Sequence, residues 1–375
     1  MPALLPQPDP EGLLEYSVVY TDRALNHMSQ RFQVVMRDIS RIVKTVYRAR
    51  STVLVPGSGT FGMEAVARQF ATDKRCLIIR NGWFSFRWTQ ILEMGRIASD
   101  TKVLKARRSG EGAEAPFAPV PIAEAVAAIR EFRPDVVFAP HVETSAGLIL
   151  PDDYLTTLAA AAHEVGGLFV LDCIASGTVW VDMAATGVDV LVSAPQKGWS
   201  GPPCCGIVAL SERARLRIDE TTSSSFACDL KKWLQIMEAY ESGAFAYHAT
   251  MPTDALAAVR DVMLETEKLG FEMISERQKA LGAQVRELLS KRGFLSVAAE
   301  GFGAPGVVVS YTTNPMIQSG KAFAEAGLQI AAGVPLQCDE GPDFKTFRIG
   351  LFGLDKLLNI SRTLESLTAA LDRIS

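Results

Sequence analysis

The sequence predicts an α/β fold in which a mostly parallel sheet is flanked by helices, followed by a smaller α+β domain at the C-terminal end. Short apolar segments typical of buried strands alternate with helical segments, which is the pattern of a parallel sheet covered on both faces. This alternation stops at about residue 253, where two long helical segments begin. A chain of 375 residues, 48% of them hydrophobic, can bury the core that such a fold requires.

The large domain is predicted to begin with a helix over 24–49, because apolar residues recur there at helical spacing from Met28 to Val46. Short apolar runs predict the strands that follow, at 52–55, 75–80, 103–105, 136–139, 168–171, 188–192 and 206–210. The helices between these strands are predicted at 61–70, 122–131 and 152–165.

The C-terminal part has a different pattern. The elements predicted there are two long helices within 253–293, a strand at 306–311, a helix at 316–326, a strand at 347–350 and a terminal helix. We therefore divide the chain into an N-terminal segment with a large domain, 1–255, and a small α+β domain, 256–375. We expect the boundary to run through a long helix rather than a flexible linker.

Composition excludes several classes of function. The net charge is −4 and no basic stripe is present, so we expect no nucleic-acid partner. No apolar run reaches the length of a membrane span, and residues 1–6 do not have the pattern of a signal peptide. Six cysteines without metal-like spacing fit a reducing compartment and apolar packing. We therefore expect a cytoplasmic protein without a membrane contact or a metal site.

The most informative segment is Ser193–Trp199, which places Lys197 just after the apolar strand 188–192. Carboxyl ends of parallel strands face the ligand crevice, where burial lowers the pKa of an amine and makes it nucleophilic. The strand at 168–171 ends in Asp172. A lysine and a carboxylate so placed suit pyridoxal phosphate, the lysine for a Schiff base and the carboxylate for the pyridinium nitrogen. Taken alone, a lysine after a strand is more often an ordinary surface lysine, and it is the rest of the chain that favours the Schiff base.

Further motifs support the cofactor, although each has a simpler alternative. Gly57–Thr60 offers backbone N–H groups at a helix N-terminus, which bind phosphate but also form ordinary turns. The aromatic stretch 81–88 predicts a platform for a planar ring, with core packing as the alternative. The polar segment 141–147 could hydrogen-bond a ring oxygen or a phosphate, or could be an ordinary polar turn. The polar segment 247–252 could bind an anion or cap the helix that follows. Arg348 lies in an apolar strand and needs an anionic partner, either a substrate carboxylate or a structural ion pair.

In their order and spacing these motifs resemble the class V, fold-type-I pyridoxal-phosphate aminotransferases, in the branch of the alanine–glyoxylate and serine–glyoxylate (serine–pyruvate) enzymes. The resemblance extends from His27 to Gly353. It implies a transaminase that moves an amino group from a small amino acid, such as serine or alanine, to a 2-oxo acid such as glyoxylate or pyruvate, in a ping-pong cycle through an aldimine. One alternative is a class V lyase or a cysteine desulfurase, the latter with Cys338 as the nucleophile. Another is a non-catalytic binding or scaffold protein on the same fold, which the presence of Lys197 disfavours.

The resemblance also implies a role for each matching residue. Lys197 would form the Schiff base, and Asp172 would pair with the pyridine nitrogen. Arg348 would bind the substrate α-carboxylate. The remaining residues would bind the cofactor: Ser58, Gly59, Thr60 and Gln196 at the phosphate, Phe84 stacked on the ring, Ser145 or Thr144 near the ring oxygen, and Tyr247 and Thr250 reaching the phosphate of the neighbouring subunit. The enzyme would thus be a homodimer with shared active sites.

Two departures from the family pattern concern the substrate side and the ring platform. The family's proline- and glycine-rich N-terminal stretch is replaced by Glu15–Arg23. Phe84 stands where the family often has a tryptophan, which leaves a smaller ring for stacking. Neither departure affects the residues expected to hold the cofactor.

Overall fold

The structure, a computed structural model, describes residues 6–374. The expectation that the chain has no signal peptide rests on residues 1–6 and so falls almost entirely outside the described residues. Within residues 6–374 no helix is both long enough and apolar enough to cross a membrane.

The strands of the described chain are β1 (Ser51–Pro56), β2 (Arg75–Arg80), β3 (Asp100–Lys105), β4 (Arg107–Arg108), β5 (Phe117–Ala118), β6 (Val136–Pro140), β7 (Val142–Glu143), β8 (Leu148–Ile149), β9 (Leu168–Asp172), β10 (Val190–Ser193), β11 (Cys205–Leu210), β12 (Val307–Tyr311), β13 (Ala331–Ala332) and β14 (Thr346–Gly350).

The helices are α1 (Gln30–Tyr47), α2 (Gly59–Phe70), α3 (Trp83–Met94), α4 (Ile122–Phe132), α5 (Asp152–Glu164), α6 (Met183–Thr186), α7 (Glu212–Arg217), α8 (Leu230–Glu241), α9 (Thr253–Leu269), α10 (Phe271–Lys291), α11 (Pro315–Gln318), α12 (Lys321–Glu325), α13 (Leu354–Leu358) and α14 (Ile360–Ile374). A short 3₁₀ turn, Ile218–Glu220, follows α7.

A seven-stranded sheet with the strand order β1-β11-β10-β9-β6-β2-β3 forms the centre of the large domain. Strand β11 runs opposite to the other six strands of this sheet, which are parallel to one another. The central strands β6, β9 and β10 are buried throughout their length, as expected for a parallel sheet with helices on both faces. The predicted fold class is therefore confirmed. Since β2, β6, β9 and β10 are consecutive neighbours, their carboxyl ends form one continuous edge.

Local sequence explains where the observed helices depart from the predicted ones. The first helix begins at Gln30 rather than at residue 24, because the Ser29 side chain accepts the Phe32 N–H and caps it. The segment 316–326 forms two short helices instead of one, since Gly320 between them has φ +80°. Helices α3 and α8 are absent from the sequence prediction. For α8, the cap formed by Asp229 was an available signal.

The C-terminal part forms a second, smaller unit, which confirms the predicted α+β domain. Its three-stranded antiparallel sheet has the order β12-β14-β13. A separate apolar core, with members from α10, α14 and this sheet, lies beneath it. Helix α9 still contributes Leu256, Val259 and Met263 to the core of the large domain, whereas Ile274 of α10 belongs to the second core. The boundary at 255/256 stays a prediction.

All six cysteines are buried, and none forms a disulfide within residues 6–374. Burial of a thiol in apolar surroundings makes it a small packing group rather than a reactive one.

Candidate active site

Asp172 and Lys197 converge because their strands are neighbours. Strands β9 and β10 pair in parallel with Val192 opposite Asp172, and Lys197 lies on the loop that follows β10. Both side chains therefore lie at the carboxyl edge of the sheet, where open α/β sheets bind their ligands.

The carboxyl group of Asp172 is almost fully buried. Burial raises its pKa to about 7, and the nearby Glu143 acts in the same direction, while the Ile174 N–H (2.9 Å from Oδ1) and Arg87 lower it. Among residues 6–374, Oδ1 has a hydrogen-bond partner and Oδ2 has none. A carboxyl oxygen that has no partner, on a residue that is only 7% exposed, fits the protonated nitrogen of a pyridine ring.

The amine of Lys197 is partly buried, and its pKa is lowered by that burial and by the positive charges of Arg348 and Arg87. Its Nζ lies 5.1 Å from the centroid of the Phe352 ring. A lowered pKa increases the uncharged fraction of the amine at neutral pH, which is the form that attacks a carbonyl.

The N-terminus of α2 forms a cradle that fits a phosphate group. Helix α2 begins at Gly59, and its cap residue Ser58 makes no side-chain hydrogen bond to the first turn. A Cβ at Gly59 would lie 2.6 Å from Ile174 Cδ1, so any larger residue would force the Ile174 side chain to move. Free N–H groups and the helix dipole favour an anion at this point. Gln196, the fourth residue predicted for the phosphate, is exposed beside Lys197.

The N-terminus of the neighbouring α3 is capped by Glu143, a residue that the sequence analysis missed. The Glu143 carboxylate is completely buried and accepts hydrogen bonds from the Phe84 N–H (3.1 Å) and the Ser85 N–H (2.9 Å). The Ser85 hydroxyl donates a third bond, 2.7 Å long. A buried carboxylate is tolerated here because helix N–H groups surround it.

Ser145 belongs to the same cap. Its hydroxyl donates to Glu143 (2.7 Å) and accepts the Trp83 N–H (2.9 Å), and the side chain is fully buried. Its neighbour Thr144 retains a small exposed fraction. Of the two residues predicted near the ring oxygen, Thr144 is the one whose hydroxyl has no hydrogen-bond partner within residues 6–374.

Two guanidinium groups lie near the ring of Phe84, the predicted ring platform. The guanidinium carbons of Arg87 and Arg348 lie 5.3 Å and 5.5 Å from its ring centroid. Arg348 donates from Nε to the Ala332 carbonyl (2.8 Å), and burial lowers its pKa. Within residues 6–374 no carboxylate forms an ion pair with Arg348, so its two terminal nitrogens remain available for a substrate carboxylate.

Tyr247 and Thr250 lie on the exposed segment between α8 and α9. The two hydroxyl groups are 3.1 Å apart, and the Tyr247 ring lies 5.5 Å from the ring of His27. Their exposure leaves both hydroxyls accessible to a second chain. Their contact with the phosphate of a neighbouring subunit stays a prediction.

His141 completes the polar edge. It is fully buried, and burial lowers its pKa to about 4. Its Nδ1 lies 2.7 Å from the Ser176 hydroxyl, and its backbone N–H donates to the Asp172 carbonyl. A neutral histidine held in this way positions the end of β9.

The sequence and the structure of the chain are similar to those of known aminotransferases. The family model for aminotransferase class-V matches residues 11–333. The chain is 30% identical to a 2-aminoethylphosphonate–pyruvate transaminase of Burkholderia ambifaria, covering 86% of this chain and 85% of that protein. It is 24% identical to an alanine–glyoxylate aminotransferase of Rattus norvegicus, covering 93% and 82%. The crystal structure of an alanine–glyoxylate aminotransferase from Nostoc sp. matches with a TM-score of 0.79 and 21% identity, covering 93% of this chain and 89% of that one.

Proposed function

The chain belongs to the class V aminotransferase family and is a pyridoxal-phosphate-dependent transaminase, and on this premise we propose that it transfers the amino group of a small amino acid to glyoxylate or pyruvate. Serine and alanine are the proposed donors. The observation that carries the proposal is the convergence of Lys197, Asp172 and Arg348 at one edge, with Arg348 close enough to Lys197 to lower the pKa of its amine.

Each of these three side chains has a distinct task. Bound pyridoxal phosphate supplies an electron sink for the charge that develops at the substrate Cα. Lys197 accepts the proton from that carbon, a task that its lowered pKa favours. Asp172 would keep the ring nitrogen of the bound cofactor protonated, because within residues 6–374 its Oδ2 has no other hydrogen-bond partner. Arg348 binds the carboxylate of the amino acid and then that of the oxo acid, so the two substrates use one pocket in turn.

The cysteine-desulfurase alternative, in which Cys338 would be the nucleophile, is disfavoured by the state of that thiol. Cys338 is buried, and its Sγ donates to the Arg80 carbonyl at 3.4 Å. Burial raises the pKa of the thiol to about 12, so the thiolate needed for attack is scarce at neutral pH.

The proposed assembly is a homodimer in which Tyr247 and Thr250 complete the site of the other subunit. Support comes from the exposure of both hydroxyl groups and from the exposed ring of Phe245 beside them, since large exposed apolar groups are typical of interfaces. We propose a cytoplasmic location because six buried, unpaired cysteines suit a reducing compartment.

The test is a matrix of amino donors and oxo-acid acceptors. Serine, alanine, aspartate and 2-aminoethylphosphonate are each mixed with glyoxylate or pyruvate and the purified enzyme, and both products are measured. We expect the highest kcat/KM for serine or alanine with one of the two acceptors. Transfer only from aspartate or 2-aminoethylphosphonate would overturn the donor class. Release of sulfide from cysteine without amino transfer would overturn the reaction type.

A further inference from the structure

We propose that Arg87 binds the phosphate group of the cofactor together with Thr60 and the N-terminus of α2. Arg87 lies one turn into α3 and reaches across to α2, where its Nη1 donates to the Thr60 hydroxyl at 3.0 Å. Thr60 is the second residue of α2, so the guanidinium group lies beside the N–H groups of the phosphate cradle.

The charge of Arg87 has no anionic partner in the described chain. Among residues 6–374, its recorded contacts are the Thr60 hydroxyl and the ring of Phe84, and no carboxylate forms an ion pair with it. Arg87 nevertheless acts on two buried groups, since it lowers the pKa values of both Asp172 and Lys197. A partly buried guanidinium group in this position favours an incoming anion.

The position of Arg87 assigns it to the phosphate rather than to the substrate. The substrate carboxylate has Arg348, which extends from the sheet of the small domain. Arg87 instead shares a hydrogen bond with the first turn of α2, the part of the site where N–H groups already favour a phosphate. Its other nitrogen atoms offer the planar, forked arrangement that matches two phosphate oxygens.

The test compares pyridoxal phosphate with pyridoxal, which carries the same aldehyde but no phosphate. Both compounds are titrated into the apoenzyme without amino acid, and binding is followed by visible absorbance. We expect Arg87→Gln to raise the Kd of pyridoxal phosphate by about 10- to 100-fold, because a charge-assisted hydrogen bond is lost. The Kd of pyridoxal should change by less than about twofold. Arg87→Lys should lie between, because it keeps the charge but loses the fork.

Arg75→Gln is the matched control, since Arg75 also lies over a phenylalanine ring (Phe132, 4.8 Å) but at the opposite end of β2. It should leave both Kd values unchanged. Inorganic phosphate provides a second readout: it should compete with pyridoxal phosphate for the wild-type apoenzyme and compete more weakly in Arg87→Lys.

Equal weakening of both compounds in Arg87→Gln would show a structural role and overturn the proposal. Unchanged binding of pyridoxal phosphate with a raised KM for amino acids would assign Arg87 to the substrate and overturn it as well. If Arg87→Gln does not fold, the Arg87→Lys titration and the phosphate competition decide in the same way. These titrations contain no amino donor, so their result is independent of the proposed substrates.

Discussion

At the residue scale, burial shifts the pKa values of Asp172 and Lys197 in opposite directions. It raises the pKa of the acid and lowers that of the amine, so the charged form of each group is disfavoured before any ligand binds. Neither group forms an ion pair within residues 6–374. Desolvation therefore sets the pKa values of the site before any ligand binds, and it lowers the free energy of unfolding of the apoenzyme.

Asp172→Asn should make the apoenzyme more stable at neutral pH. The folded-state pKa of about 7 lies above the value of 3.8 of a solvent-exposed aspartate, so folding favours the protonated acid, and the wild-type chain loses stability as pH rises from about 4 through about 7. Asparagine carries no charge and can still accept the Ile174 N–H. We expect a gain on the order of a few kcal/mol above pH 7.

Urea unfolding of both apoenzymes at a series of pH values checks this. The two midpoints should approach each other near pH 4 and separate above pH 7. A separation that is constant with pH, or a less stable variant at pH 8, would show that Asp172 is not buried as a strained acid. In the holoenzyme the same variant should lose turnover by several orders of magnitude.

Arg348→Lys tests the carboxylate site at the same scale. Lysine keeps the positive charge but loses the planar fork, so KM for both the amino acid and the oxo acid should rise about tenfold or more. The visible spectrum of the bound cofactor should not change, because Arg348 does not reach the cofactor in this account. A changed spectrum with unaltered KM values would make Arg348 a structural residue.

At the scale of elements, the cap of α3 links the stability of one helix to the geometry of the site. The hydroxyl of Ser145 accepts the Trp83 N–H and donates to the buried Glu143 carboxylate. The hydroxyl of Thr144 has no hydrogen-bond partner within residues 6–374. Ser145→Ala should therefore lower the free energy of unfolding by about 1–3 kcal/mol, because it leaves buried partners unsatisfied.

Thr144→Ala is the matched variant. It should leave the free energy of unfolding within about 0.5 kcal/mol of wild type but weaken cofactor binding. Chemical unfolding of the apoenzymes and cofactor titration measure both properties. If Ser145→Ala instead weakens cofactor binding and leaves the free energy of unfolding unchanged, Ser145 is the residue that hydrogen-bonds the ring oxygen.

The elements also show what sequence patterns can predict. Apolar runs between turn residues are local signals, and the predicted strands of the large sheet coincide with the observed ones to within about three residues at each end. The cap of α3 is not a local signal, because Glu143 lies 58 residues from the Ser85 N–H that it accepts. Gly82, at the start of α3, carries no capping side chain that would have indicated a helix. The antiparallel direction of β11 likewise depends on pairing between distant segments.

At the scale of the whole molecule, a shared active site makes activity a property of the pair. If Thr250 serves the other subunit, a heterodimer of Lys197→Ala and Thr250→Ala chains has both lesions in one site and none in the other. Unfolding the two variants together and refolding them should then recover up to about half the wild-type rate per heterodimer. The comparison requires Thr250→Ala alone to be clearly impaired. Activity no greater than the sum of the parents would place Thr250 in its own subunit's site.

The order of the motifs along the chain was sufficient to indicate the family, while the donor depends on side chains that no single motif identifies. Arg87 illustrates the limit. In the sequence it is one residue of an aromatic stretch, and only the crossing of α3 over the start of α2 brings it to Thr60.

We expect the enzyme to transfer the amino group in two half-reactions, and a single-turnover experiment with the holoenzyme separates them. The enzyme is mixed with a donor from the substrate matrix in the absence of any oxo acid, and the released 2-oxo acid is measured over time. We expect about one equivalent of 2-oxo acid to be released per active site before release stops. Release should resume when glyoxylate or pyruvate is added. Continuous release of product without an acceptor, or no release until the acceptor is present, would contradict this expectation.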